Sequence, residues 1–154
     1  MNLEYKMQGY TLHLIPTKKF KTTSISLRLQ TSLTRETSTI RTLLTFVLIS
    51  ATKDLPSTKH LASYLDGNYG ARLSSNINTK GKSQIINIHT SFINDQFIKE
   101  DDSLLIKQLK VISDLFYNPY IENDGFNKEI VKQKKKELKE RIQVGKDDKF
   151  SYSL

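Results

Sequence analysis

The chain has 154 residues, enough for about one domain built around a single core. It contains no cysteine, which excludes disulfides, thiolate metal sites and a cysteine nucleophile. The formal net charge of +8 allows an anionic partner but identifies none. The first ten residues lack the apolar region of a signal peptide, and no apolar stretch is long enough to span a membrane. We therefore expect a cytoplasmic protein that does not enter a membrane.

Four segments alternate between polar and apolar residues, as strands with one buried face do. Tyr10–Ile15 and Thr22–Leu29 are the first two, and we predict that they form an antiparallel pair. Ala71–Ile77 and Ser83–Phe92 follow later in the chain, separated by a short polar segment. Gly81 lies in that segment and suits a tight turn, so the second two segments are predicted to form a hairpin.

The stretch Glu36–Thr52 has the strongest helical pattern in the chain. Its apolar residues recur at the spacing of one helix face: Ile40, Leu43, Leu44, Val47 and Leu48. The opposite side carries threonines and Phe46 rather than charged residues. Because no broad charged face remains, we expect the fold to cover this helix on both sides.

Three further helices are predicted. Ser57 is the candidate N-cap of a short one, and a second ends at Phe116 with an apolar stripe that also includes Leu105, Leu109 and Ile112. The third runs from Phe126 to about Val144 and is rich in Lys and Glu. The predicted order is β-β-α-α-β-β-α-α. We therefore predict an α+β fold in which the helices pack on one mainly antiparallel sheet.

Side chains that commonly carry catalysis are sparse. His13, His60 and His89 are widely spaced and form no HxxxH or HxxEH pair, so surface or hydrogen-bonded histidines are the better interpretation. Neither a Gly-rich phosphate loop nor a GxSxG elbow occurs. The lysine run at 132–136 is interleaved with glutamates and lacks aromatic residues for base stacking. We do not expect nucleic-acid binding, but a basic binding module on Lys132–Lys139 stays open as an alternative.

The segment TLLTFVLISATKDLPSTKHLASYLDGNYGARLSSNINTKG resembles part of the M16 family of zinc metallopeptidases, which includes the insulinase, pitrilysin and mitochondrial-processing-peptidase types. In that family a helix carrying HxxEH is followed by an apolar run, a second helix and a strand with small polar residues. Val47–Thr52 matches the apolar run, and Leu65-Asp66 with Gly70 matches the end of the second helix. Ala71–Ser75 matches the strand.

The resemblance also implies a fold and a domain organisation. It is closest to the non-peptidase bacterial members that lack HxxEH, the YmfF/YfmF type, and implies a LuxS/MPP-like metallohydrolase fold. Two half-domains of about 200 residues form one subunit in the family. We therefore expect residues 1–154 to be a single domain, the truncated N-terminal M16-like domain of a protein of about 400 residues.

Carried over by position, the resemblance places Thr42 and Phe46 at the two zinc-binding histidines and Thr45 at the catalytic glutamate. The third family ligand is a glutamate on a later helix, and Arg141 occupies that position. Threonine hydroxyls are poor zinc ligands, phenylalanine offers no donor atom, and a guanidinium repels a metal ion. We therefore expect neither a catalytic residue nor a metal in this chain.

The function that the resemblance implies is that of a catalytically inactive M16 homologue. It would pair with an active zinc peptidase, or with a second copy of itself, and help to bind a peptide substrate through residues not yet identified. Zinc is expected only in the active partner. One alternative is a zinc metallopeptidase with non-standard ligands, for example His60 or His89 with Glu137 or Glu140. The others are the basic nucleic-acid-binding module and a folding unit without a function of its own.

Overall fold

The computed structural model describes residues 2–98 and 103–147. Within these residues the chain forms seven strands, four α-helices and one 3₁₀ turn at Asp95–Phe97. In chain order the strands and helices are β1 (Leu3–Met7), β2 (Tyr10–Leu14), β3 (Thr22–Ser32), α1 (Ser38–Leu48), α2 (Thr58–Gly67), β4 (Arg72–Lys80), β5 (Ser83–Ile93), α3 (Leu104–Tyr117), β6 (Ile121–Glu122), β7 (Gly125–Phe126) and α4 (Lys128–Asp147).

The main sheet has three antiparallel strands in the order β3-β5-β4, with β5 at the centre. Successive residues of β5 alternate between buried and half-buried, as expected for a strand with one face against the core. The buried face of β5 carries Gln84, Ile86, Ile88, Thr90 and Phe92. Helices α1 and α3 contact β5, so the helices lie over this face of the sheet.

The core lies between the main sheet and the helices. One cluster joins Phe92 of β5 to Leu61 and Leu65 of α2 and to Leu104 and Val111 of α3. A second cluster joins Leu115 of α3 to two isoleucines of β5, Ile86 and Ile88. These contacts hold α2 and α3 against the sheet. The positions that match the zinc motif, Thr42, Thr45 and Phe46, lie instead on α1.

The predicted architecture is wrong, although the α+β class fits. Instead of one helix-covered sheet of LuxS/MPP-like form, the described residues make three separate antiparallel sheets of two, three and two strands. Strand β2 pairs with β1, which was not predicted, and β3 pairs with β5. A tight turn at Gly9, with φ of +89°, joins β1 to β2, and such a local pairing costs little loop entropy.

The buried faces of two helices also differ from the prediction. In α1, Ile40 and Leu44 are 66% and 41% exposed, whereas Thr45 is only 3% exposed. The prediction that the fold covers both sides of this helix is therefore wrong. In α3 the predicted stripe is displaced by one residue, since Leu105 and Leu109 are exposed. The buried stripe of α3 consists of Leu104, Gln108, Val111 and Leu115, with Ile112 beside it.

Other local predictions are confirmed. Strands β4 and β5 form the predicted hairpin, and Gly81 has a positive φ of 57° at its turn. The Ser57 side chain accepts a hydrogen bond from the backbone N–H of His60 and caps α2. Among the described helices, no helix combines the length and the apolar character that crossing a membrane requires.

Candidate functional site

The positions that match the family's zinc motif lie on α1. Thr42 and Phe46 are four residues apart and therefore share one face of the helix. Thr45 lies beside them and is buried, while Thr42 and Phe46 are half-buried. Helix α4 packs against α1 and carries Arg141, the fourth position that the sequence singled out. The contacts of these four residues determine whether the site can bind a metal ion.

Both threonine hydroxyls are turned back onto the helix. Thr42 Oγ1 donates to the carbonyl of Ser38 at 2.9 Å, and Thr45 Oγ1 donates to the carbonyl of Arg41 at 2.8 Å. Hydroxyl bonds to the carbonyl four residues earlier are a common way to satisfy threonine inside a helix. Gln84 Nε2 adds a second bond to the Ser38 carbonyl at 3.0 Å. Both hydroxyls are therefore engaged as hydrogen-bond donors to the helix backbone.

The side chain at the second histidine position contacts the side chain at the third-ligand position. The guanidinium carbon of Arg141 lies 4.8 Å from the centroid of the Phe46 ring. A guanidinium at this distance from an aromatic face makes a cation–π interaction. The structure thus brings together two positions that are 95 residues apart in sequence, and a stacked pair occupies the place between α1 and α4.

Two carboxylates of α4, those of Glu137 and Glu140, share a cavity lining with the guanidinium. Lys134 Nζ donates to Glu137 at 2.9 Å, and this hydrogen bond holds the pKa of Glu137 below its usual value. Partial burial opposes that shift, while Gln133 and the positive charge of Arg141 add to it. Glu137, Glu140, Arg141 and Val144 line a shallow cavity of about 380 Å³. Each carboxylate of this cavity has a lysine nearby, Lys134 for Glu137 and Lys136 for Glu140.

These residues do not fit a zinc ion. The two hydroxyls are engaged with backbone carbonyls, Phe46 has no donor atom, and the Arg141 cation would repel a metal. Among residues 2–98 and 103–147, no three His, Asp or Glu side chains lie close enough together to hold a metal ion. The expectation that zinc belongs to another protein stays a prediction.

The histidines lie apart from this site and from each other. His13 faces Glu4 across the β1–β2 hairpin, with 3.8 Å between Nδ1 and the carboxylate. His60 Nδ1 lies 2.8 Å from the Ser57 hydroxyl at the start of α2. His89 is on the main sheet. Within the described residues the structure does not join any of the three to the glutamates of α4.

The lysine run of α4 is partly paired within its own helix. Lys134 pairs with Glu137, and Lys136 lies 3.9 Å from Glu140. Lys132 and Lys135 are exposed. This is the arrangement of a solvated helix face, in which neighbours three or four residues apart offset each other's charge.

Sequence reasoning missed a second polar surface, the face of the main sheet that the helices leave open. The alternation of β3 placed Ser26 and Arg28 opposite its apolar residues, and that of β5 did the same for His89. The register brings these side chains together, and the Ser26 hydroxyl lies 2.9 Å from His89 Nδ1. The partners are 63 residues apart in sequence, so a local pattern could not pair them.

Comparisons with known proteins agree with the predicted resemblance to inactive bacterial metallopeptidase homologues. No protein-family model matches the chain. The chain is 38% identical over 151 residues to a Bacillus subtilis (strain 168) protein named "Probable inactive metalloprotease YmfF", and the match covers 98% of this chain and 35% of that protein. The assignment to M16 itself stays a prediction.

The structure is also similar to a crystal structure of a conserved protein from Enterococcus faecalis V583. The TM-score is 0.90 at 28% identity, and the match covers 98% of this chain and 36% of that one. The chain thus spans about a third of the length of each relative. It is similar over nearly its whole length to part of a protein named as an inactive metalloprotease.

Proposed function

We propose that this chain is a catalytically inactive metallopeptidase homologue of the M16 type. In this proposal it acts as a non-catalytic subunit that pairs with an active zinc peptidase and helps to hold the peptide substrate. The name of the Bacillus relative supports the first part, since that protein is described as a probable inactive metalloprotease. The pairing with an active peptidase rests on the resemblance of the sequence to the family.

One observation carries the proposal. At the positions where an active relative would place metal ligands, this chain has a cation stacked on an aromatic ring, 4.8 Å from its centroid. The neighbouring hydroxyls of Thr42 and Thr45 are already hydrogen-bonded to the helix backbone. A zinc-activated water needs three protein ligands and a base beside it. The side chains present here supply neither.

The other functions considered have less support. A metallopeptidase with non-standard ligands would need His60 or His89 near Glu137 or Glu140, and no such cluster forms among the described residues. A nucleic-acid interface on α4 would need cations free for phosphates. Lys134 and Lys136 are paired with glutamates of the same helix, which lowers the positive charge of that face although Lys132 and Lys135 stay exposed.

The proposal is tested by zinc analysis and a cleavage assay on the same preparation. The purified chain is incubated with excess zinc, desalted, and analysed for bound metal and for cleavage of a mixed library of quenched fluorescent peptides. We expect far less than one zinc per chain and no cleavage. Stoichiometric zinc, or cleavage that a chelator abolishes, would overturn the proposal.

The partner role needs a separate measurement. The chain is mixed with an active zinc peptidase homologue from the same organism, and the mixture is examined by gel filtration and by peptide cleavage. We expect co-elution and faster cleavage than the active peptidase shows alone. Separate elution together with an unchanged cleavage rate would contradict the partner role but not the inactivity.

A further inference from the structure

The open face of the main sheet is a largely polar surface. It lies opposite the face that packs against the helices, and its residues on the two outer strands are exposed. The side chains that point to this face from β3 and β4 include Ser24, Ser26, Arg28, Gln30, Arg72, Ser74, Asn76, Asn78 and Lys80. Those from β5 include Asn87, His89 and Ser91, together with one half-buried apolar residue, Ile85, between Gln30 and Asn78. Almost every position can donate a hydrogen bond.

The strands that form this surface carry positively charged side chains but no negatively charged ones. None of β3, β4 and β5 contains an aspartate or a glutamate on either face. Arg28, Arg72 and Lys80 therefore face solvent without a carboxylate in their own sheet. Among the residues that the structure describes, neither Arg28 nor Arg72 forms an ion pair. Positive charge on a donor-rich surface is complementary to an anionic, acceptor-rich ligand.

The register fixes the spacing of the two arginines. Arg28 lies opposite Asn87, and Arg72 lies opposite Ser91, on the two sides of the central strand. Two inter-strand spacings and four residues along the strand separate them, which is about 17 Å in ideal sheet geometry. An extended peptide covers that distance in about four to six residues, and because its side chains alternate, the two that face the sheet are an even number of residues apart. His89 lies between the arginines, flanked by Ser26 and Ser74.

Two further features lie on this surface. Asn87, beside Arg28, is half-buried, and its side-chain oxygen has no hydrogen-bond partner among the described residues. Near Arg72, a cavity of about 680 Å³ opens beside the end of α2. Its polar lining comes from Arg72, Ser74, His89 and Ser91 on the sheet and from Asp66 on α2, the one carboxylate there.

A peptide fits this surface better than a nucleic acid does. Proteins that hold single-stranded nucleic acid stack its bases on aromatic side chains, and the open face contains no Phe, Tyr or Trp. Hydroxyl and amide groups instead match the alternating donors and acceptors of a peptide backbone. The cations then select for acidic side chains along that peptide.

We propose that the open face of the β3-β5-β4 sheet binds an acidic peptide, in which two carboxylates roughly four or six residues apart contact Arg28 and Arg72. This inference rests on the peptide-binding role proposed above and names the class of peptide. In this binding mode the peptide lies across the face of the sheet and is contacted by side chains of the strands.

The test is fluorescence anisotropy with the intact chain and three labelled peptides of about ten residues, which is enough to cross the sheet. One peptide carries two glutamates about six residues apart, so that both face the sheet, and the other two carry glutamine or lysine at those positions. We expect the glutamate peptide to bind at least about fivefold more tightly than the glutamine peptide, because two exposed charge pairs contribute modestly. Preferential binding of the lysine peptide, or equal binding of all three, would overturn the inference.

A matched pair of variants locates the binding. R28Q/R72Q should abolish the preference for the glutamate peptide. K132Q/K135Q removes the same amount of positive charge from exposed positions on α4 and should leave that preference unchanged. Because all four residues are exposed, both variants should fold, which circular dichroism checks. A preference that survives in R28Q/R72Q, or that disappears equally in both, contradicts the inference.

A uridine-rich RNA of matched charge is measured in parallel. Tighter binding of this RNA than of the glutamate peptide would replace the inference with a nucleic-acid site. None of these results depends on zinc content or cleavage. Failure of the acidic-peptide inference therefore leaves the proposed inactive-homologue function to be judged by its own tests.

Discussion

Arg141 stacks on Phe46, with 4.8 Å between its guanidinium carbon and the ring centroid. The contact joins α4 to α1 across the place where the sequence resemblance would put a metal ion. Phe46 is half-buried, and the aliphatic part of an arginine can cover such a ring while its charge stays in water. The two helices are therefore held together here by packing and a cation–π contact.

The first prediction measures this contact by a double-mutant cycle. Phe46→Leu removes the ring but keeps an apolar side chain, and Arg141→Met removes the charge but keeps the unbranched stem. We expect a coupling energy of about 0.5–1 kcal/mol between the two changes, as for cation–π pairs near the surface. Urea unfolding of the four proteins measures it.

Lys139→Met serves as the control, because Lys139 is an exposed cation on the same helix. Its cycle with Phe46→Leu should give a coupling close to zero. If the Arg141 cycle gave no larger coupling than the Lys139 cycle, the contact would contribute nothing measurable to stability.

The second prediction restores the missing ligands. T42H/F46H/R141E places two imidazoles one helical turn apart on α1 and a carboxylate opposite them on α4, the ligand set of many zinc hydrolases. Because Arg141 already reaches the Phe46 ring, we expect this variant to bind about one zinc ion per chain, whereas the natural sequence does not. Metal analysis after desalting gives the stoichiometry.

The control variant is T42H/F46H/K139E, which has the same composition of ligands but places the carboxylate at a different position on α4. It should bind zinc at least about tenfold more weakly, since two histidines alone leave the coordination incomplete. Equal zinc affinity of the two variants would show that residue 141 does not face the α1 site.

The sequence predicts local structure well where one short segment contains the whole signal. Gly81 between two alternating segments predicts the β4–β5 hairpin, and Ser57 predicts the start of α2, because a turn and a cap each depend on a few neighbouring residues. Pairing between distant strands has no such signal. Strand β3 pairs with β5 rather than with β2. The sequence pattern therefore predicted neither the observed arrangement of the sheets nor the polar surface that this pairing creates.

Helix faces were misassigned where a polar residue is buried. In α3, Gln108 is fully buried in the stripe that contacts the sheet, so counting apolar residues favoured the neighbouring stripe with Leu105 and Leu109. In α1, Thr45 is buried while Ile40 is exposed. The motif positions could be found on α1 and α4 from the resemblance, but the contact between Phe46 and Arg141 could not.

The third prediction concerns that buried glutamine. Thr90 Oγ1 donates to Gln108 Oε1 at 2.9 Å, and both side chains are fully buried. Thr90→Val should destabilise the chain by about 1–3 kcal/mol, because it leaves the Gln108 oxygen buried without a partner. T90V/Q108L replaces both partners by apolar groups and should recover most of that loss, as measured by urea unfolding. A double variant that is less stable than T90V alone would show that Gln108 has another essential role.

The fourth prediction is a pH dependence of stability that arises from Asp114 near the end of α3. Burial alone would raise the pKa of this carboxyl, but hydrogen bonds from Lys110 Nζ and Asn118 Nδ2 outweigh it and hold the pKa below its usual value. A carboxyl whose pKa is lower in the folded state stabilises the fold above its unfolded pKa of about 3.9. That contribution is lost as the pH falls through the folded pKa.

Urea unfolding between neutral pH and about pH 3 should therefore show a free energy of unfolding that decreases with acidification, and Asp114→Asn should flatten that decrease. The natural chain should be the more stable of the two at neutral pH, with the difference shrinking as the carboxyl becomes protonated. Asp66→Asn, at an exposed position, controls for the loss of one carboxylate. If both variants changed the pH dependence equally, the hydrogen bonds to Asp114 would not be its source, and the decrease would belong to the net charge of the whole chain.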